Sequence, residues 1–76
     1  MEVAPNITVD PKIHHGAPII TGTRMPVSIL VGSVAGGMSL EEVAKEYCVT
    51  KEQIEAALAF AADLVSKTEV HALAGD

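Results

Sequence analysis

The sequence predicts a mainly α-helical fold, in which three helices form a helix–turn–helix body behind an arm of short β-strands. Hydrophobic residues recur with helical spacing from residue 26 onward. Two capping-box sequences mark the starts of two further helices. All four prolines lie within residues 1–26. We therefore divide the chain into an N-terminal arm (1–25), a trihelical body (26–67) and a flexible C-terminal tail (68–76).

The N-terminal arm is predicted to contain strands because its prolines exclude a long helix. The β-branched residues of the arm lie in Ile7-Thr8-Val9 and Ile19-Ile20. We expect short extended segments near 6–9 and 18–21. The four prolines of the chain are Pro5, Pro11, Pro18 and Pro26.

The body is predicted to begin with a helix over 26–35, with Pro26 at its first position, where a missing N–H is tolerated. Gly36-Gly37 ends it. The second helix opens on Ser39-Leu40-Glu41-Glu42 and the third on Thr50-Lys51-Glu52-Gln53. Only Cys48-Val49 separates these two, which is the helix–turn–helix pattern. We expect Cys48 to be a small buried apolar residue.

The last helix is apolar on two sides. Ile54, Leu58, Ala61 and Val65 share one face, and Ala56, Ala59 and Phe60 lie roughly opposite. We expect the Phe60 side to meet another chain in an intertwined or side-by-side dimer. The alternative is that the arm folds back over Phe60. The predicted dimer-interface residues are Ile19, Ile20, Ala56, Phe60 and Leu64.

The small size of the chain, 76 residues, makes an additional source of stability desirable. A single cysteine allows no intramolecular disulfide, and no Cys/His spacing fits zinc. Oligomerisation is the remaining common solution. We expect no metal and no cofactor. We also expect no membrane association, since no apolar run approaches the length of about 20 residues that a membrane-spanning helix needs. The lone thiol and the missing export signal predict a cytoplasmic location.

Catalysis is poorly supported, because no nucleophile lies beside a base and the paired glutamates sit at helix N-termini, where they favour the helix dipole. We expect a non-enzymatic protein with His14-His15 on its surface. The formal charge of −5 opposes phosphate binding. A helix–turn–helix can nevertheless place its last helix in the major groove. The DNA-contact candidates are Arg24, Lys51, Gln53 and Glu55.

Arg24 is the only arginine, and it lies in a stiff segment between Gly22 and Pro26. Two interpretations are open. Its guanidinium folds back and locks the turn, or it contacts a partner with little loss of side-chain entropy.

The segment from Gly16 to Val27 (GAPIITGTRMPV) and the continuation Gly37–Val43, Tyr47 and Thr50–Ala61 resemble domain-of-unknown-function family 433. Cys48 is a departure, since proline is common there. The resemblance implies a homeodomain-like helix–turn–helix with short strands, usually dimeric. It also implies an antitoxin of the VapB type that silences a PIN-like ribonuclease toxin, and such pairs commonly repress their own promoter by binding operator DNA. The alternatives are a stand-alone DNA-binding regulator and a structural dimerisation module.

Overall fold

Three helices and a three-stranded antiparallel sheet make up the fold, and the computed structural model describes residues 1–68. The predicted flexible tail therefore lies outside the described residues except for Thr68. In chain order the elements are β1 (Glu2–Ala4), β2 (Ile7–Thr8), β3 (Ile19–Ile20), α1 (Val27–Ala35), α2 (Leu40–Tyr47) and α3 (Lys51–Ser66). The mainly helical fold and both predicted strands are confirmed. No helix in the described part of the chain is long and apolar enough to cross a membrane.

The sheet has the order β1-β2-β3, and sequence reasoning missed its first strand. A two-residue turn, Pro5-Asn6, joins β1 to β2, and Asn6 has a φ of 67°. Proline followed by a residue with positive φ is typical of a tight type II turn, and asparagine tolerates that conformation well. The Pro-Asn pair was therefore the available signal for β1.

The turn between β3 and α1 is held by backbone and threonine hydrogen bonds. Ile20 N–H donates to the Met25 carbonyl at 2.9 Å, and Thr23 Oγ1 donates to the Ile20 carbonyl at 2.8 Å. Pro26 forms an antiparallel bridge with Ile19 and so keeps an extended backbone, with a ψ of 137°. Placing Pro26 at the first helical position was thus wrong, because it is the N-cap and α1 begins at Val27.

Both predicted capping boxes are confirmed. The Ser39 hydroxyl accepts from Glu42 N–H at 3.1 Å, and the Glu42 carboxylate accepts from Ser39 N–H at 2.8 Å. Thr50 and Gln53 make the same reciprocal pair at 3.0 and 2.9 Å. These bonds satisfy N–H groups that have no partner within the helices, which fixes where α2 and α3 start.

Cys48 is exposed, so the prediction of a buried thiol was wrong. The chain reverses after α2 through a left-handed residue, and Cys48 is that residue, with a φ of 56° and a ψ of 45°. Its neighbour Val49 is half-buried instead and packs against the core. A left-handed C-cap is normally glycine, because a Cβ is disfavoured there.

Cys48→Gly is expected to stabilise the protein by about 0.5–1 kcal/mol, because it removes the left-handed penalty of an L-residue while adding some unfolded-state entropy. Urea denaturation measures the change. Cys48→Ala is the matched control: it removes the thiol, keeps the Cβ, and should stay within about 0.5 kcal/mol of wild type. If Cys48→Ala stabilised the protein as much as Cys48→Gly, the left-handed backbone of residue 48 would not be the cause.

The core joins the arm to the helices. Ile7 and Ile20 from the sheet pack with the buried side chains of all three helices, and β2 contacts α3 directly. The predicted boundary between the arm and the body therefore runs through one shared core. The buried residues of that cluster are Ile7, Ile20, Val27, Leu30, Val43, Ile54 and Ala57.

Candidate functional site

The predicted interface residues of α3 border two apolar depressions, with half-buried Phe60 between them. We name the surface formed by Ala56, Ala59, Phe60 and Leu64 the Phe60 face. The first depression, of ≈ 260 Å³, is lined by Ala4, Pro5, Ala56, Ala59, Phe60 and Asp63. The second, of ≈ 310 Å³, lies between α1 and α3 and is lined by Ala17, Pro18, Val27, Ser28, Val31, Phe60, Ala61 and Leu64.

Two of the predicted interface residues are not accessible at the protein surface. Ile19 and Ile20 are both buried inside the chain, and Ile20 packs in the core cluster with the buried side chains of the helices. We therefore remove them from the interface set. Leu64 is 56% exposed and Ala56 is half-buried, so both remain accessible.

The arm approaches Phe60 without covering it completely. Ala4 and Pro5 line the first depression beside the Phe60 side chain, and Ala4 packs against the core cluster. The structure thus agrees in part with the interpretation in which the arm folds back over Phe60. Phe60 nevertheless stays half-buried, and Leu64, one turn further along α3, is exposed.

The DNA-contact candidates on α3 are poorly placed for phosphate binding. Lys51 Nζ lies 3.5 Å from Glu41 Oε2, an exposed ion pair that partly neutralises the lysine. Gln53 Oε1 accepts from Thr50 N–H, so the side chain is committed to the cap. Glu55 is exposed and repels phosphate. The structure therefore leaves little positive charge at the start of α3.

The Arg24 side chain does not lock its turn. The guanidinium is exposed, and among residues 1–68 it makes no hydrogen bond or ion pair. The turn is held by other groups: the Thr23 hydroxyl accepts from Met25 N–H at 2.9 Å, and His14 Nε2 lies 3.0 Å from the Arg24 carbonyl, to which it donates. The interpretation as a lock was wrong, and sequence reasoning missed the roles of Thr23 and His14.

His14-His15 lie in a short 3-10 turn, and both are exposed, as predicted. Both have positive φ values, 51° and 56°. Within the part of the chain that the structure describes, no three His, Cys, Asp or Glu side chains are grouped so that they could hold a metal ion.

The exposed acidic side chains lie mostly on α2 and the first turns of α3. We refer to Glu41, Glu46, Glu52 and Glu55 as the α2–α3 glutamates; all are exposed. Lys51 is the only one of their neighbours in an ion pair with them among residues 1–68. On α3, Glu52 and Glu55 lie one turn before Ala56 and Ala59, so the acidic residues adjoin the Phe60 face.

A curated relative supports the resemblance. "Putative antitoxin VapB45" of Mycobacterium tuberculosis is 32% identical over 53 residues, which is 70% of this chain and 22% of the relative. The chain thus spans less than a quarter of that protein. The crystal structure of Rv2018 from Mycobacterium tuberculosis is similar with a TM-score of 0.63 and 32% identity, covering 70% of this chain and 25% of that one.

The family match covers most of the described residues. Residues 7–61 match the family described as "Protein of unknown function (DUF433)", from the start of β2 to the middle of α3. This range includes the capping boxes, the Gly22–Pro26 turn and Phe60. The chain belongs to that family of proteins of unknown function, DUF433.

Proposed function

We propose that this protein is the antitoxin of a type II toxin–antitoxin pair and that it binds and silences a PIN-like ribonuclease. The similarity over 53 residues to a relative named as an antitoxin carries the proposal. The role is non-catalytic and requires no cofactor. Because the chain spans 22% of that relative, the ribonuclease partner is inferred for this chain and not transferred from the relative.

The charge distribution supports a basic partner. A ribonuclease that grips RNA presents a positively charged surface, and complementary charge steers association and fixes orientation. The chain carries a formal charge of −5, and its α2–α3 glutamates are exposed. We propose that these glutamates contact the ribonuclease.

Repression of the pair's own promoter is a second part of the proposal. The observation that favours it is the short turn between α2 and α3, which passes through left-handed Cys48 and is short enough for a helix–turn–helix. The acidic α3 N-terminus weakens unaided DNA binding, so we propose that the complex with a basic toxin, rather than the free chain, binds the operator.

Co-expression with a PIN-like ribonuclease encoded beside the gene of this chain tests the first part. The wild-type chain is expected to restore growth and to co-purify with the ribonuclease. Glu55→Lys should weaken binding by about tenfold, because it replaces an attractive charge by a repulsive one. Isothermal titration calorimetry of the purified pair measures the change.

Glu2→Lys is the control, since it makes the same charge reversal at an exposed position of β1, outside α2 and α3, and otherwise removes only the hydrogen bond that Glu2 Oε2 accepts from Asn6 N–H. Its affinity should stay within about threefold of wild type. Equal losses of affinity in Glu55→Lys and Glu2→Lys would indicate only a net-charge effect. That result would contradict the proposal that the α2–α3 glutamates contact the ribonuclease. No co-purification and no rescue would contradict the antitoxin. Salt-sensitive operator binding by the free chain would then favour the stand-alone regulator. If the free chain did not bind the operator, the structural dimerisation module would be favoured.

A further inference from the structure

The first depression has an apolar centre and carboxylates at both ends. Its walls are Phe60 and two alanines of α3 on one side and the end of β1 with the following turn on the other, and Asp63 is its charged lining residue. Glu52 and Glu55 lie one helical turn before the two alanines, so two further carboxylates adjoin the opposite end. The depression is therefore apolar in the middle and negative at its edges.

We propose that the first depression binds an arginine side chain of the ribonuclease, and this inference rests on the proposed function for the source of that arginine. An arginine lays its aliphatic stem along apolar surface and keeps its charged tip with polar groups. The depression has a volume of ≈ 260 Å³. A cavity of about 150 Å³ is enough to hold a benzene molecule. The depression therefore has room for the stem and the guanidinium.

The carboxylates around the depression are only weakly engaged within the chain. Asp63 Oδ2 lies 3.0 Å from Lys67 Nζ, but both side chains are more than half exposed, so this ion pair is weak. Glu52 and Glu55 make no ion pair with any of residues 1–68. A guanidinium offers five N–H donors, so it can bind Asp63 beside Lys67 and is attracted by the two glutamates as well.

The aromatic wall favours arginine over other occupants. Phe60 is half-buried and borders the depression. A guanidinium is planar and weakly hydrated, so it stacks on an aromatic ring, whereas the ammonium of lysine is compact and strongly hydrated. An apolar side chain would fill the centre and gain nothing from the carboxylates. A second copy is disfavoured, because two chains with a formal charge of −5 each repel one another.

Ala59→Leu tests the site in the full chain, because it fills the depression without changing the charge. Ala59 is exposed, and alanine and leucine are both good helix formers, so the fold should be retained, which circular dichroism checks. Isothermal titration calorimetry should show an affinity for the ribonuclease about tenfold lower than that of wild type. Ala62→Leu is the matched control, since Ala62 is exposed on the same helix and lines neither depression. Its affinity should stay within about threefold of wild type.

A short peptide tests the site without the ribonuclease. Acetyl-Ala-Arg-Ala-amide is titrated into the isotope-labelled chain and followed by nuclear magnetic resonance. The amide signals of Ala59, Phe60 and Asp63 should shift, with a dissociation constant on the order of 10 mM. The same peptide with citrulline, which keeps the shape of arginine without its charge, should bind at least about threefold more weakly. Ala59→Leu should abolish the shifts, and Ala62→Leu should retain them.

The proposal is overturned if the arginine peptide shifts none of these signals, if the citrulline peptide binds equally well, or if Ala59→Leu leaves the shifts in place. It is also overturned if the ribonuclease binds wild type and Ala59→Leu equally, and the antitoxin proposal then stands without this site. If no ribonuclease binds but Ala59→Leu abolishes the peptide shifts, the antitoxin proposal fails and the arginine site is supported. Self-association of the free chain that is lost in Ala59→Leu, measured by sedimentation equilibrium, would place a second copy in the depression and contradict the proposal.

Discussion

Leu30→Ala is expected to leave most of the chain unfolded at 25 °C. Leu30 is fully buried on α1, where it packs among the side chains of the sheet and the other helices. Truncating a buried leucine to alanine costs about 2–5 kcal/mol. The core of a chain this small supplies only about 3–5 kcal/mol. Circular dichroism during urea denaturation is the measurement, made at one low protein concentration because dimerisation raises apparent stability.

Ile29→Ala is the control for this substitution. Ile29 is the preceding residue on the same helix, but it is 43% exposed. Ile→Ala removes the same number of side-chain atoms as Leu→Ala, raises helix propensity slightly more, and leaves the core intact. Its free energy of unfolding should fall by less than about 1 kcal/mol. If Leu30→Ala and Ile29→Ala lowered the free energy of unfolding by similar amounts, the result would contradict the packing of Leu30 in the core.

Ile7→Ala is the second substitution with a large expected effect, about 2–5 kcal/mol of lost stability. Ile7 is fully buried although it lies on a strand of two residues near the N-terminus. It pairs with Ile20 across the sheet and belongs to the cluster that includes Leu30 and Ile54. An arm that only flanked the helical body would tolerate the change. Urea denaturation followed by circular dichroism measures the loss.

Val3→Ala is the matched control on the neighbouring strand β1, where Val3 is 44% exposed. Its effect should stay within about 0.5 kcal/mol, the usual range for surface substitutions. A small effect of Ile7→Ala, similar to that of Val3→Ala, would contradict a core shared by the sheet and the helices. A loss confined to Ile7→Ala supports it.

The starts of α2 and α3 were predictable because a capping box is a local signal. Ser39 with Glu42, and Thr50 with Gln53, satisfy backbone groups only three residues apart, so their geometry follows from the local sequence. The β-branched pairs likewise predicted β2 and β3. Strand β1 was missed because three residues are too few to show a period, and the Pro5-Asn6 turn was the only sign of it.

The errors concerned residues whose environment depends on distant parts of the chain. Cys48 was expected to be buried by its apolar character, but the reversal after α2 required a left-handed residue there. Of the two interpretations left open for Arg24, the structure contradicts the lock, since Thr23 and His14 hold the turn through bonds that reach up to ten residues away. Ile19 and Ile20 were assigned to a dimer face because nothing local shows that they are buried within the chain.

The sequence by itself determined the helices, their caps, the acidic balance and the family, since each depends on residue type and short spacing. Only the tertiary structure decided which apolar residues are core and which are surface. Ile20 and Leu64 are equally hydrophobic, yet Ile20 is buried by the packing of the sheet on the helices and Leu64 is left exposed beside a groove. That difference arises from contacts between elements far apart in the chain, which no local pattern encodes.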